Sequence, residues 1–242
     1  MGQGNRHALT DAAKRLAEEV DKLSFADPVT NVYNPLDYAW QSHQAYLSLV
    51  GNDISVLFLG MNPGPGGMAQ TGVPFGEIDA VRDWMKIHAP VGKPRNEHPK
   101  RPIEGFDCER SEVSGRRLWG LFKDRFGTAK RFFKHHFVVN YCPLVFMEQS
   151  ARNRTPYKLP AAERDAISAI CDAHLNEVIQ ILAPAHLVGV GVYAEGCLKR
   201  AIDSTGSTAT LARILHPSPA SPAANKDWAG KATEQLEEAG IW

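Results

Sequence analysis

Residues 54–76 read ISVLFLGMNPGPGGMAQTGVPFG. The apolar run Ile54–Leu59 has the length and composition of a buried strand, and it empties at Gly60 into a loop that reaches Gly76. Six glycines and three prolines fall in those seventeen loop residues. Proline fixes φ and glycine permits positive φ, so such a loop follows one defined path. In open α/β sheets, ligands bind where strands give way to loops at the carboxyl edge. The loop carries few reactive side chains: the Asn62 amide is its most useful polar group, Phe75 offers a flat face for stacking, and the glycines let backbone N–H groups approach a ligand. It has no lysine, which excludes a phosphate-binding P-loop. Gly64–Ala69 matches G-x-G-x-x-A, but Thr71-Gly72-Val73-Pro74 breaks the helix that a dinucleotide fingerprint must open.

Outward from this stretch, three more short apolar runs predict strands: Phe137–Asn140, His186–Gly191 and Leu211–Leu215. Helical spacing predicts helices over Leu9–Leu23, from Asn34-Pro35, over Glu77–Ile87, from Ser114 to Phe126, near Lys130–Lys134, from Pro160 to Leu182, around Ala194–Ala201, and from about Asn225. His174 lies on the apolar stripe of the Pro160–Leu182 helix and reads as a core or boundary histidine rather than a catalytic one. Residues 90–107 carry four prolines and no period, which predicts a long surface loop. Strand and helix alternate, so the expected fold is a three-layer α/β/α sandwich around a four-stranded parallel sheet. Residues 1–242 are expected to form one domain, with the helices of residues 1–50 packed on its core.

The chain has 242 residues, 43% apolar and 22% charged, with no formal net charge. Between Glu112 and His136, seven basic residues face only Glu112 and Asp124. Taken alone, that run reads as a solvated helix face. The four cysteines are far apart and form no C-x-x-C pair, which argues against a zinc or iron–sulfur centre and for buried free thiols. No apolar run approaches a membrane span, and the polar start is not a signal peptide; an intracellular protein without membrane partners is expected.

Three predicted strand ends carry Asn62, Asn140 and His216. In a parallel sheet these ends share one edge, so the three side chains can meet around one cavity. The motifs Gly60-Met61-Asn62-Pro63-Gly64-Pro65, Gly67 to Gly76 and His216-Pro217-Ser218-Pro219 resemble those of the single-strand-selective monofunctional uracil-DNA glycosylase family. Ser111-Glu112-Val113-Ser114-Gly115, Asn140-x-Cys142-Pro143-Leu144 and Val188-Gly189-Val190-Gly191 strengthen the likeness, which spans roughly Asp53 to Trp228.

The resemblance implies removal of uracil and 5-substituted uracils from single- and double-stranded DNA, with no metal and no cofactor, by a monomer. It implies catalytic roles for Asn62 and His216, and a base pocket of Met61, Gly64, Phe75 and Asn140. It places DNA contacts at Ser114, Gly115, Arg116 and Arg117, and at Pro217, Ser218, Pro219, Ala220 and Ser221. The basic run of residues 116–134 would then help to hold DNA. Gly66 and Ala220 depart from the expected pattern of an aromatic and a long basic residue, which implies a looser pocket mouth and a weaker wedge. Two alternatives stay open on the residues alone: a glycosylase of the same fold for deaminated purines, and a non-catalytic DNA-binding relative.

Overall fold

The structure, a computed structural model, describes residues 2–242. Helix α1 (Gly2–Val20) leads to strand β1 (Val29–Tyr33), helices α2 (Pro35–Tyr38) and α3 (Trp40–Leu47), and strand β2 (Val56–Gly60). Helix α4 (Met68–Thr71) lies inside the central loop, and helices α5 (Val113–Phe126) and α6 (Ala129–Phe133) precede β3 (His136–Asn140). Strands β4 (Val145–Glu148) and β5 (Asn153–Arg154) follow, then α7 (Ala161–Leu182), β6 (His186–Val190), α8 (Val192–Thr205), β7 (Thr210–Ile214) and α9 (Pro222–Glu238).

The predicted sandwich is present. Strands β3, β2, β6 and β7 form a four-stranded sheet in that order, and all three pairings are parallel. Every residue of β2 is buried, as a central strand covered on both faces requires. Side chains alternate across the sheet. On one face, Phe58 packs on Phe122 of α5 with ring centroids 5.0 Å apart, and His136 stacks on Phe132 of α6. On the other, Phe137 stacks on Tyr46 of α3. The α7 stripe of Ile167, Cys171, Leu175, Val178, Ile179 and Leu182 is buried, and α1 docks on α7 with an Arg15–Glu177 ion pair at the rim. His174 is half-buried with its Nδ1 enclosed, and desolvation lowers its pKa to about 4, so it is a neutral histidine at the core boundary. All four cysteines are buried free thiols. Among the described residues, no helix is long and apolar enough to cross a membrane.

Three features differ from the sequence expectation. A second, antiparallel sheet of order β1-β4-β5 stands beside the first. The helix expected over Glu77–Ile87 contracts to a π-helical turn at Ala80–Trp84, where the Met85 N–H reaches back to the Ala80 carbonyl. That wider turn lets the Trp84 indole donate to the Gly127 carbonyl at 3.0 Å. The proline-rich segment 90–107 is pinned to the molecule. Gln70 holds it from both ends of its amide, accepting from Glu104 and Gly105 N–H and donating to the Pro102 carbonyl, while Tyr33 binds His98 N–H and the Arg101 carbonyl.

Candidate active site

Strand register brings the key residues together. Gly60 ends β2 opposite Asn140, the last residue of β3, so the two loops that follow leave the sheet side by side. His216 leaves the end of β7 two positions on, beyond β6. Asn62, Asn140 and His216 line one cavity of about 210 Å³, together with Met61, Gly64, Phe75 and Ser114. Further lining comes from Glu112, Asn153 and Thr155.

Close packing at glycines shapes this cavity. A β-carbon on Gly60 would strike Asn140 Oδ1 and the edge of the Phe75 ring. One on Gly115 would strike the Phe75 carbonyl, so the first turn of α5 seats that residue. Phe75 itself is held at φ +53°, a left-handed conformation that side chains rarely adopt. Its ring lies 6.3 Å from the His216 imidazole, centroid to centroid. Gly191, at φ +92°, lets the end of β6 close against the His216 ring.

Single-purpose hydrogen-bond neighbours fix the orientation of each polar group. Asn62 Nδ2 donates to the Leu144 carbonyl at 3.2 Å. A carbonyl only accepts, so the NH2 must face it and Asn62 Oδ1 must face the other way. Asn140 Nδ2 donates to the Met68 thioether at 3.3 Å, which likewise only accepts. Asn140 Oδ1 is left buried with no partner. The backbone N–H of Ser218 donates to His216 Nδ1 at 3.1 Å. Nδ1 is therefore the acceptor nitrogen of a neutral ring, and Nε2 carries the proton. Desolvation lowers the His216 pKa, which keeps the ring neutral.

Glu112 was quoted within a motif but given no role from sequence. Its carboxylate caps α5 by accepting from Ser114 N–H, and its other oxygen presses against Gly64. Burial raises its pKa, opposed by that N–H bond. Asn153 and Thr155 were missed altogether, because a two-residue strand is too short to show a period.

The expected DNA-contact residues divide. Arg116, Pro219 and Ala220 are exposed; Arg116 lines a separate hollow with Glu77 and Asp79, while Pro219 and Ala220 follow Ser218, which lines the cavity. Pro217 is buried, and Ser221 accepts from Ala224 N–H as the cap of α9. Ser114 is nearly buried in the cavity wall. Gly115 is buried under Phe75, where its lack of a side chain allows the close approach of the two backbones. Arg117 donates to the Pro217 carbonyl at 3.0 Å and to Asn225 Oδ1 at 2.9 Å, so its guanidinium ties α5 to the 217–225 loop. The rest of the basic run lies elsewhere. Helix α5 is fourteen residues long, about 20 Å at 1.5 Å per residue, and carries Lys130 and Lys134 to the opposite edge of the sheet.

A model of the uracil DNA glycosylase superfamily matches residues 48–238, and the chain belongs to that superfamily. It is 49% identical over 228 residues to the single-strand selective monofunctional uracil DNA glycosylase of Mus musculus, covering 94% of this chain and 82% of that protein. The protein of the same name from Bos taurus is 48% identical over 94% of this chain and 84% of its own length. A crystal structure of wild-type Pedobacter heparinus SMUG2 shares the fold, with a TM-score of 0.66 over 96% of this chain and 99% of that one at 17% identity.

Proposed function

We propose that this chain is a monofunctional DNA glycosylase that hydrolyses the N-glycosidic bond of uracil and of 5-substituted uracils such as 5-hydroxymethyluracil. It acts on single- and double-stranded DNA as an intracellular monomer of one domain, and so starts base excision repair. A base inside a duplex cannot be reached, so the uracil enters the cavity flipped out or from a single strand. Phe75 stacks on its face. Asn140 Oδ1 accepts from N3–H while Nδ2 donates to O4. Cytosine presents the reverse pattern and meets an amide that the Met68 sulfur prevents from turning. Met61 and Gly64 close the pocket through the backbone.

Bond cleavage leaves a cationic sugar and an anionic base. The electron pair of the C1′–N1 bond spreads onto O2, where the His216 Nε2–H donates to it. Such a donor lowers a barrier by about 2.7–4 kcal/mol. Asn62 Oδ1 holds the water that bonds to C1′. An amide is a weak base, so its part is to place the water rather than to deprotonate it. No lysine lines the cavity, which fits hydrolysis without a Schiff base. Outside the pocket, Arg116 and the tip at Pro219 and Ala220 meet the DNA backbone, and Arg117 holds the 217–225 loop in place.

The observation that carries this reading is the fixed orientation of Asn62, Asn140 and His216 in one cavity. A uracil-containing oligonucleotide incubated with the protein and then with alkali should break at the uracil. Asn62→Ala and His216→Ala should each slow that reaction by about 10²–10³-fold while leaving the thermal transition near its wild-type position. Full activity in both variants would remove the assignment.

A further inference from the structure

One wall of the cavity has no part in the chemistry above. Asn153 Oδ1 and Thr155 Oγ1 are buried without a hydrogen-bond partner, and both residues line the cavity. Two residues apart along extended chain, they project to the same side. Arg154 between them turns the other way, to Glu148 at 2.7 Å and the Lys158 carbonyl at 2.9 Å. The wall adjoins Asn62: β5 pairs with β4 through Met147 and Asn153, and β4 follows directly on Leu144, whose carbonyl holds the Asn62 amide.

Buried polar atoms without partners call for one, and in a polar cavity the partner is water or substrate. An attacking water needs one lone pair aimed at C1′. Its two hydrogens then require two acceptors, and its remaining lone pair can take a donor. Asn62 Oδ1 is one acceptor. Asn140 and His216 are engaged by the base, and Glu112 accepts from Ser114 N–H with one oxygen and presses the other against Gly64, so none of these is the second.

We propose that Asn153 Oδ1 is the second acceptor for the attacking water and that the Thr155 hydroxyl donates to it, so that with Asn62 three of its four directions are fixed and the fourth points at the sugar. This rests on the active-site reading given above. In the step itself, the free lone pair forms the O–C1′ bond and the C1′–N1 pair departs on the uracil. The surplus water proton passes to solvent, and solvent returns one to the base anion.

The test is single-turnover uracil release from a single-stranded oligonucleotide. It is paired with binding of the same oligonucleotide carrying a 2′-fluorine on the uracil nucleotide, which resists cleavage. Asn153→Ala should slow release by about tenfold or more with affinity within about twofold of wild type. Thr155→Val should slow it by a few-fold and Thr155→Ser should restore it. Asn153→Asp keeps an acceptor and, once ionised, adds a base, so its rate should stay near wild type and climb with pH through the carboxylate titration. Wild-type release by Asn153→Ala, or a loss found only in affinity, overturns the proposal while Asn62→Ala remains inactive. Should Asn153→Ala fail to fold, a flat pH profile for Asn153→Asp overturns it equally. If Asn62→Ala is itself active, the fault lies in the underlying site reading.

Discussion

The two edges of the parallel sheet offer very different hollows. At the amino edge, a groove of about 870 Å³ runs between Lys130, Lys134, Lys86 and Arg6, with Trp84 and Phe133 in its walls. At the carboxyl edge the cavity is about 210 Å³. Size and charge would favour the first, but the polar atoms favour the second. Three of its lining side chains, Asn140, Asn153 and Thr155, bury an oxygen that has no partner, and none of the residues lining the amino-edge groove does. A solvated lysine has water to satisfy it, whereas a buried unpaired oxygen is a standing cost unless a ligand or water repays it. Among these two hollows, the unpartnered oxygens rather than the volume single out the carboxyl edge.

The sharpest way to test that contrast is Gly60→Ala. The new methyl would strike Asn140 Oδ1 and the Phe75 ring together, displacing both base contacts by about 1 Å. Single-turnover uracil release should fall by about a hundredfold or more. A near-normal rate would show that the two groups do not grip the base.

pH acts on both the site and the core. The neutral His216 ring accepts from Ser218 N–H, and protonation would set a donor against that donor. Because its pKa is lowered from 6.5, the rate should hold from alkaline pH down through 6.5 and fall only below it. A rate that rises on acidification would mean that the cation is the working form. His43 and His174, with pKa lowered from 6.5 to about 4, bind protons more readily unfolded than folded. Their contribution to stability is complete above pH 6.5 and shrinks as pH drops toward 4, by about 2 kcal/mol each at pH 5. Thermal unfolding recorded beside the rates separates the two effects.

Smaller effects are expected from the arginine that ties the loop. Arg117→Ala removes the hydrogen bonds to Pro217 and Asn225 and should weaken binding of uracil-containing DNA by about three- to tenfold, with the cleavage rate of bound DNA less affected. Smallest of all, Lys130→Ala and Lys134→Ala should leave uracil release unchanged and alter affinity by no more than about twofold, since they line the groove at the opposite edge of the sheet and salt screens exposed charges. A large loss there would overturn the division of labour between the edges.

Much of the fold was legible because its elements announce themselves. The run Val56–Gly60 is apolar at every position save its final glycine, and the α7 stripe repeats over twenty-two residues. The meeting of Asn62, Asn140 and His216 in one cavity was legible because strand ends of a parallel sheet share an edge. The second sheet was not legible. Its strand β1, Val-Thr-Asn-Val-Tyr, is five residues long and interrupted by a register shift, and β5 has only two residues. Such strands are fixed by pairing partners distant in sequence rather than by their own pattern. Asn153 and Thr155 stayed hidden for that reason. The basic run could not be divided from sequence for a related one: charge clustered along a sequence says nothing about which end of a helix it stands at, and Lys130 and Lys134 line the amino-edge groove.

The Arg117 bridge links parts of the molecule usually considered apart. One end of α5 is roped to the loop beside the cavity mouth, and the same helix turn, through Gly115, props up the carbonyl of Phe75. The outer loop and the Phe75 backbone thus rest on one support, the first turn of α5, which holds the loop by a guanidinium and seats the ring's residue by the lack of a side chain.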